Sequence, residues 1–290
     1  MKNNDSKYFS QKYVDSRRVL YTPSAFARES LIHVQEIGEL QAIKQHISRR
    51  EGMESYLFIE VVSGEGSLTY HGTEYKLRAG DCVFIDCKTL YSHETSDSLW
   101  CLRWVHFYGE NMPKIYEKYV DRGGRPAFRP ESISGFDRVW AKLFEIASSS
   151  DYIRDMRINE GLNELLTLIM EESWCLDERS SANKRKDLAQ IVDYLREHYS
   201  QKITLDELAD RFFINKFYLT RIFKEQFGLS INQYLLQYRI TKAKQALRFS
   251  DDSVENIGYA CGLGAPYYFS RVFKKVEGIP PGEFRKRWQG

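Results

Sequence analysis

Apolar positions along the chain follow two different periods. From about Leu31 to Gly109, short aromatic and β-branched runs such as Tyr56 to Val62 alternate with turn signals at Gly64-Glu-Gly66, His71-Gly72 and Gly80-Asp81. Turns recurring at roughly ten residues, with no helical period between them, predict an antiparallel meander closed into a small barrel or sandwich. Parallel strands would need helices between them. From Glu131 the period lengthens. Phe136, Val139, Trp140, Leu143 and Phe144 recur at three and four, and Ile158, Leu162, Leu165 and Ile169 do so again, which predicts two amphipathic helices. The 4-3-4 spacing of the second also suits a two-helix seam, so it packs either on its own domain or on a second chain. Ile158, Leu162, Leu165 and Ile169 are the candidate dimerisation residues.

Beyond a small, polar and basic stretch over 179–186, read as a linker, the pattern is helical throughout. Leu188, Ile191, Val192 and Leu195 share one face. Thr204-Leu-Asp-Glu207 is a capping box that opens a short helix through Phe212. Asn215 caps a second helix whose buried face is Leu219, Ile222 and Phe223, and Gly228 ends it. Short helix, tight turn and second helix make a helix-turn-helix. The order returns about fifty residues on: Val254 to Ala260, a turn through Cys261 to Gly264, then a helix from Pro266 to about Val276. Tyr218 to Gly228 lines up with Tyr268 to Gly278, and Ala209 with Ala260. A second capping box, Ser230-Ile-Asn-Gln233, opens a connecting helix to about Leu247. Roughly 18 residues at 1.5 Å each give a rod of about 27 Å. Such a rod holds two recognition helices near one DNA turn, about 34 Å, apart.

Length changes the picture only by asking for two domains, since single cores rarely grow to 290 residues. The reading is an α+β chain. It has an antiparallel barrel at 1–130, a helical segment at 131–178, the linker, and an all-α domain at 187–290. Charge changes it more. The net charge of +2 divides into 19 Lys and Arg against 12 Asp and Glu from Lys184 onward, and 23 against 28 before it. A basic domain behind an acidic one predicts a polyanion partner for the former. Five cysteines (Cys82, Cys87, Cys101, Cys175, Cys261) form no CxxC pair and read as reduced thiols. No apolar run approaches the roughly 18 residues of a membrane span, so a cytoplasmic protein is expected. The six histidines contain no HxH spacing, so neither a metal, another cofactor nor a catalytic group is predicted.

Across Leu188 to Trp288 the chain resembles the AraC family of transcription regulators. The resemblance is carried by Ile257-Gly-Tyr-Ala-Cys-Gly-Leu263, Tyr268-Phe-Ser-Arg-Val-Phe-Lys-Lys275 and Gly278-Ile-Pro-Pro-Gly-Glu-Phe-Arg285. It departs at Ala265, where a capping Ser or Asp is usual; Pro266 at the first helical position offsets part of that loss. The resemblance implies that the second helix of each unit enters the major groove. The reading residues are then Lys216, Phe217, Thr220 and Arg221, followed by Tyr267, Ser270 and Arg271, with Tyr268 either reading or packing between helices. Arg221 and Arg271 lie off the apolar stripe, where a guanidinium addresses guanine bidentately. Lys224, Lys274 and Lys275 suit phosphates.

Ile47 to Met53, Gly64-Glu-Gly66, Leu77 to Asp81 and Trp100 to Gly109 are similar to the sugar-sensing, cupin-like barrel of the same regulators. Arg49 sits where the family's effector-contacting arginine does. Trp104 alternates with Leu102 and His106 on one strand face, and Tyr91, His93 and His106 complete the candidate effector set. Residues before Ile43 are read as an arm that closes over the ligand or reaches the DNA-binding domain. The expectation is a sequence-specific regulator of double-stranded DNA, an activator of a metabolic operon working as a homodimer and gated by a small molecule, a sugar. RNA polymerase is a further candidate partner. Its rivals are a cupin enzyme tethered to DNA and a ligand-independent regulator whose barrel only dimerises.

Overall fold

The computed structural model describes residues 13–173 and 181–289, in two compact units divided between Leu176 and Asp177. Among the described residues the first unit is built on ten strands: β1 (Val14–Leu20), β2 (His33–Ala42), β3 (Ile47–Arg50), β4 (Tyr56–Ser63), β5 (Glu65–Tyr70), β6 (Thr73–Arg78), β7 (Cys82–Asp86), β8 (Tyr91–Thr95), β9 (Cys101–Tyr108) and β10 (Ala127–Phe128). They form two antiparallel sheets, ordered β1-β2-β9-β4-β7-β10 and β3-β8-β5-β6. Helices α1 (Ala25–Ser30), α2 (Met112–Asp121), α3 (Ser134–Ser148) and α4 (Arg154–Glu172) accompany them.

Strand periodicity sorts the larger sheet into two buried faces. Leu57, Ile59 and Val61 of β4 and Leu102 and Trp104 of β9 face the second sheet, whose Leu68, Tyr70 and Tyr91 meet them. Tyr56 and Phe58 of β4 and Val105 and Phe107 of β9 point the other way, into a core closed by α2, α3 and α4. Phe58 stacks on Phe136 of α3 with ring centroids 5.4 Å apart. Each such buried side chain stabilises the fold by about 1.5–3 kcal/mol.

Three expectations are corrected here. Residues 14–42 are not an arm: the whole of β1 pairs with Glu36–Ala42 of β2, which is itself the neighbour of β9. Residues 1–12 lie outside the described residues. The 4-3-4 stripe of α4 is not a dimer seam, because Ile158, Leu162, Leu165 and Ile169 are buried in the core that α4 shares with α3 and the larger sheet. A sheet buried on both faces supplies the apolar partner that the spacing left unassigned. The proposed linker is helical from Ser181, its Lys and Arg being good helix formers with no Gly or Pro to interrupt them. Positions 179 and 180 and Cys175 lie outside the described residues.

The second unit holds α5 (Ser181–Glu197), α6 (Leu205–Arg211), α7 (Lys216–Phe227), α8 (Ile231–Phe249), α9 (Val254–Ala260), α10 (Pro266–Glu277) and α11 (Pro281–Gln289). It has two small cores. One joins Leu188, Ile191 and Leu195 of α5 to Leu208, Leu219, Phe223 and Ile231. The other joins Ile240, Ala243 and Leu247 to Ile257, Phe269, Phe273 and Phe284. Helix α8 thus gives its first turn to one core and its last turns to the other. In its middle, Arg239 donates to the carbonyls of Tyr199 and Gln201, both at 2.6 Å.

Both predicted capping boxes are formed, Thr204 with Glu207 and Ser230 with Gln233. The predicted pairing of Ala209 with Ala260 is not. Ile214 N–H reaches the Ala209 carbonyl at 2.9 Å and Leu263 N–H reaches that of Gly258 at 2.8 Å, so Gly258 is the counterpart of Ala209. The second turn carries one extra residue, Gly264, which shifts the register before it. In this register Phe213 (φ 53°) matches Gly262 (φ 68°): both units need a left-handed residue at the same point of the turn.

Candidate functional site

The DNA-facing candidates lie on α7 and α10. Asn215 caps α7 by accepting from Phe217 and Tyr218 N–H at 2.9 and 3.2 Å, and left-handed Gly228 ends it. Helix α10 has no side-chain cap at Ala265, starts on Pro266 and ends on left-handed Gly278. Leu219, Ile222 and Phe223 on α7 and Phe269, Val272 and Phe273 on α10 are buried. The remaining surface carries the predicted residues. Lys216, Arg221, Lys224, Arg271 and Lys274 are exposed, Thr220 and Ser270 half-buried. Phe217, with Lys216 Nζ 5.8 Å from its ring, is 76% exposed and Tyr267 79%, large apolar surfaces left open to solvent. Tyr268 is 45% exposed, more open than Tyr218.

The two helices repeat one geometry. Arg221 lies 5.6 Å from the Tyr218 ring and Arg271 lies 5.9 Å from the Tyr268 ring, so each guanidinium is held beside an aromatic platform. Their electrostatics differ. Lys216 Nζ donates to Asp206 at 2.8 Å, which raises its pKa, and Arg221 lies 3.7 Å from Glu225. The Thr220 hydroxyl donates back to the Lys216 carbonyl at 2.8 Å. Among the described residues no carboxylate pairs with Arg271, Lys274 or Lys275.

A separate cavity lies between the two sheets of the first unit. Arg18, Gly38, Trp104 and Ile59 sit opposite one another on β1, β2, β9 and β4. A Cβ at position 38 would fall 2.6 Å from the Trp104 indole, so only glycine lets the ring lie flat there. Arg18 lies 5.4 Å above that ring and is paired with Glu36 at 3.2 Å. His106 occupies the next row, its Nδ1 3.0 Å from Ser55 Oγ. From the second sheet come Arg50, Tyr91 and His93, with Leu40, Leu57 and Leu102 completing the walls. Its volume is about 30 Å³, far below the roughly 300–1,000 Å³ of ligand pockets, so in this conformation the cavity is nearly closed.

Burial, reinforced by the Arg50 charge, lowers the pKa of both His93 and His106 to about 3, so both imidazoles are neutral. Burial raises that of Tyr91, keeping the phenol protonated. His93 Nδ1, Ser48 Oγ, His46 Nε2 and Trp100 Nε1 are buried without hydrogen-bond partners among the described residues. Such orphans are uncommon in folded proteins, and of the four only that of His93 belongs to a residue lining the cavity.

Of the predicted effector set, Tyr91, His93, Trp104 and His106 line this cavity, and Arg49 does not. Along β3 the exposure alternates so that Ser48 and Arg50 turn inward and Arg49 turns to solvent. The exposed apolar Ile47 disguises that phase in the sequence. Arg50 and Arg18 were missed. Pairing of Arg50 with inward-facing Tyr91 was the signal for the first; assigning β1 to the sheet was needed for the second. Among the described residues no group of His, Cys, Asp or Glu converges as a metal site, and no helix is long and apolar enough to cross a membrane.

Residues 33–181 match the family profile described as the AraC-like ligand binding domain, and residues 208–287 match that of a helix-turn-helix domain. The HTH-type transcriptional activator RhaS of Yersinia pestis is 24% identical over 246 residues, spanning 80% of this chain and 87% of RhaS. The MmsAB operon regulatory protein of Pseudomonas aeruginosa is 26% identical over 259 residues, spanning 87% of this chain and 81% of its own length. Among solved structures, the DNA-binding domain of AdpA in complex with a target DNA covers 36% of this chain and 93% of its own, at 26% identity and a TM-score of 0.35.

Proposed function

The chain belongs to the AraC family of transcription regulators, and from that premise we propose that α7 and α10 read two successive stretches of one DNA face while the cavity of the first unit gates them. It is a DNA-binding regulator with an effector-binding domain, in a family whose members regulate transcription rather than catalyse reactions. The observation that carries the finer reading is the repeated pair of arginines beside tyrosines, Arg221 with Tyr218 and Arg271 with Tyr268, on the exposed faces of equivalent helices. An arginine fixed on a planar neighbour is pre-organised to take both acceptors of a guanine. Exposed Phe217 and Tyr267 supply apolar contact for thymine methyls. Lys224, Lys274 and Lys275 meet phosphate.

Gating is a shift between two populations: the effector binds one arrangement more tightly and moves the equilibrium only by that difference. Activation is supported by the relative named as an activator. Two chains acting on paired half-sites, with an interface other than the apolar stripe of α4, fit a regulator of this kind, and RNA polymerase fits as the partner through which it acts. A sugar is the effector class that the resemblance implies.

The test is selection of bound DNA from a random pool at several controlled salt concentrations. Two short motifs about one helical turn apart are expected. Recovery of unselected DNA at every salt would reduce the basic unit to a backbone binder and overturn the reading.

A further inference from the structure

One guanidinium in the first unit is shared by three acids. Arg103 of β9 donates through Nε to Glu39 of β2 at 2.9 Å and through Nη1 to Asp137 in the first turn of α3, and the same Nη1 lies 3.8 Å from Glu60 of β4. Glu39 has a second cation, Arg17 of β1, at 3.3 Å. These three carboxyls and two guanidiniums cannot all be matched, and Glu60 is the acid placed worst for a charge. Its side chain is 3% exposed against 42% for Asp137, and its Oε2 is buried with no hydrogen-bond partner among the described residues. Opposite it on β7 stands Cys82, a thiol that burial keeps protonated. Of the other acids acting on that thiol, Asp81 is paired with Arg129 at 2.7 Å and Glu172 ends α4. Burial, followed by the Asp137 charge, raises the pKa of Glu60 to about 7 against the pull of Arg103.

We propose that Glu60 is a proton-operated latch between the larger sheet and α3. Protonated, it leaves Arg103 to Asp137, which holds the first turn of α3 on β9. Ionised, it draws Nη1 of Arg103 to itself, because a buried carboxylate without a cation is costly while half-exposed Asp137 turns to water instead. The latch also lies on the strand that joins the cavity to the helices. Trp104, the next residue on β9, lines the cavity, and its backbone carbonyl accepts from Trp140 Nε1 of α3 at 3.3 Å. The Trp140 ring in turn lies 4.8 Å from the Arg103 guanidinium. Loss of one proton at Glu60 therefore changes how α3 is held behind the cavity, whatever effector that cavity takes.

The test is thermal melting of the full chain between about pH 5 and pH 8, read together with amide exchange over α3, for the native protein and Glu60→Gln. The folded pKa of Glu60 lies above its ordinary 4.5, so the stability it contributes is full below about 4.5 and is lost as pH rises through about 7. The glutamine variant has no such loss. Its melting temperature should therefore gain on that of the native protein by on the order of 5 °C across that range. Protection of the α3 amides, corrected for intrinsic exchange, should fall about tenfold in the native protein only. Asp137→Asn removes the competing charge and should shift the native fall to lower pH. If Glu60→Gln does not fold, that shift carries the test, and a fall that stays in place overturns the proposal. A melting difference constant with pH marks Glu60 as packing alone and overturns it, as does α3 protection that falls equally in both proteins.

Discussion

The two helix-turn-helix units share a plan and differ in how they hold it. The first is fastened by side chains: a full capping box at Thr204 and Glu207, and Asn215 closing the start of its recognition helix. The second is fastened by backbone: a one-sided cap at Ser253, no cap at Ala265, and glycines at 262 and 264 that let a longer turn fold. Their cations differ in the same sense. Lys216 and Arg221 are partnered by carboxylates of their own unit, whereas the described carboxylates leave Arg271, Lys274 and Lys275 unpaired. If both recognition helices read DNA as proposed, the first unit would exchange its carboxylate contacts for DNA contacts, a cost that the second does not carry.

The largest test of that contrast is at the matched left-handed positions. Gly262→Ala forces a side chain into positive φ and toward the Ser200 carbonyl, 2.6 Å from the new Cβ. It should destabilise the C-terminal unit by about 2–3 kcal/mol in a melting experiment. A loss below about 1 kcal/mol would mean that the second turn tolerates strain as the first does at Phe213. Next is Arg271→Ala, expected to lose about 1–3 kcal/mol on a selected site, with Arg221→Ala losing less because Glu225 already weakens that arginine's gain. Equal losses on random DNA would reassign both to phosphate. Exchanging the caps comes third: Asn215→Ala should lose about 1 kcal/mol of stability and Ala265→Ser should gain somewhat less, read from the same melting transition. If neither moves it, the recognition helices owe nothing to their caps. Phe213→Gly should stabilise by about 0.5–1 kcal/mol, because relief of a bulky left-handed residue slightly exceeds the entropy that glycine adds to the unfolded chain. The smallest effect is Glu225→Gln, which should tighten DNA binding by at most about 0.5 kcal/mol and raise affinity for random DNA by a similar factor.

What was legible beforehand was local. Both capping boxes, the glycine stops at 228 and 278 and the apolar stripe of each recognition helix depend on neighbours within a few residues, and all are formed. The strand run over Tyr56 to Val62 was equally plain as a continuous apolar stretch between turn signals, which fits a strand buried on both faces. Failures came where the deciding partner was remote. Four-three-four spacing on α4 states that a groove is filled, and only the doubly buried sheet says by what. On the edge strand β3, two consecutive arginines differ in role by a phase that β8 sets. Ala209 was matched two residues late, at Ala260 instead of Gly258; the inserted Gly264 accounts for one of the two, since insertions within a turn leave no periodic trace. Short α2, between the last long strand and β10, went unread although Met112, Ile115, Tyr116 and Tyr119 recur at three and four.

Helix α8, shared end to end between two cores and clamped at its centre by Arg239, has a consequence for how this domain changes over time. In stacked solenoids each repeat contacts only its neighbours, so copies are gained, lost or exchanged singly. Here a graft of one unit without its half of α8 would leave the other core open. Amide exchange across both units should accordingly report a single opening event. The duplicated sequence records an ancestry of two modules, while the fold has made them one heritable part.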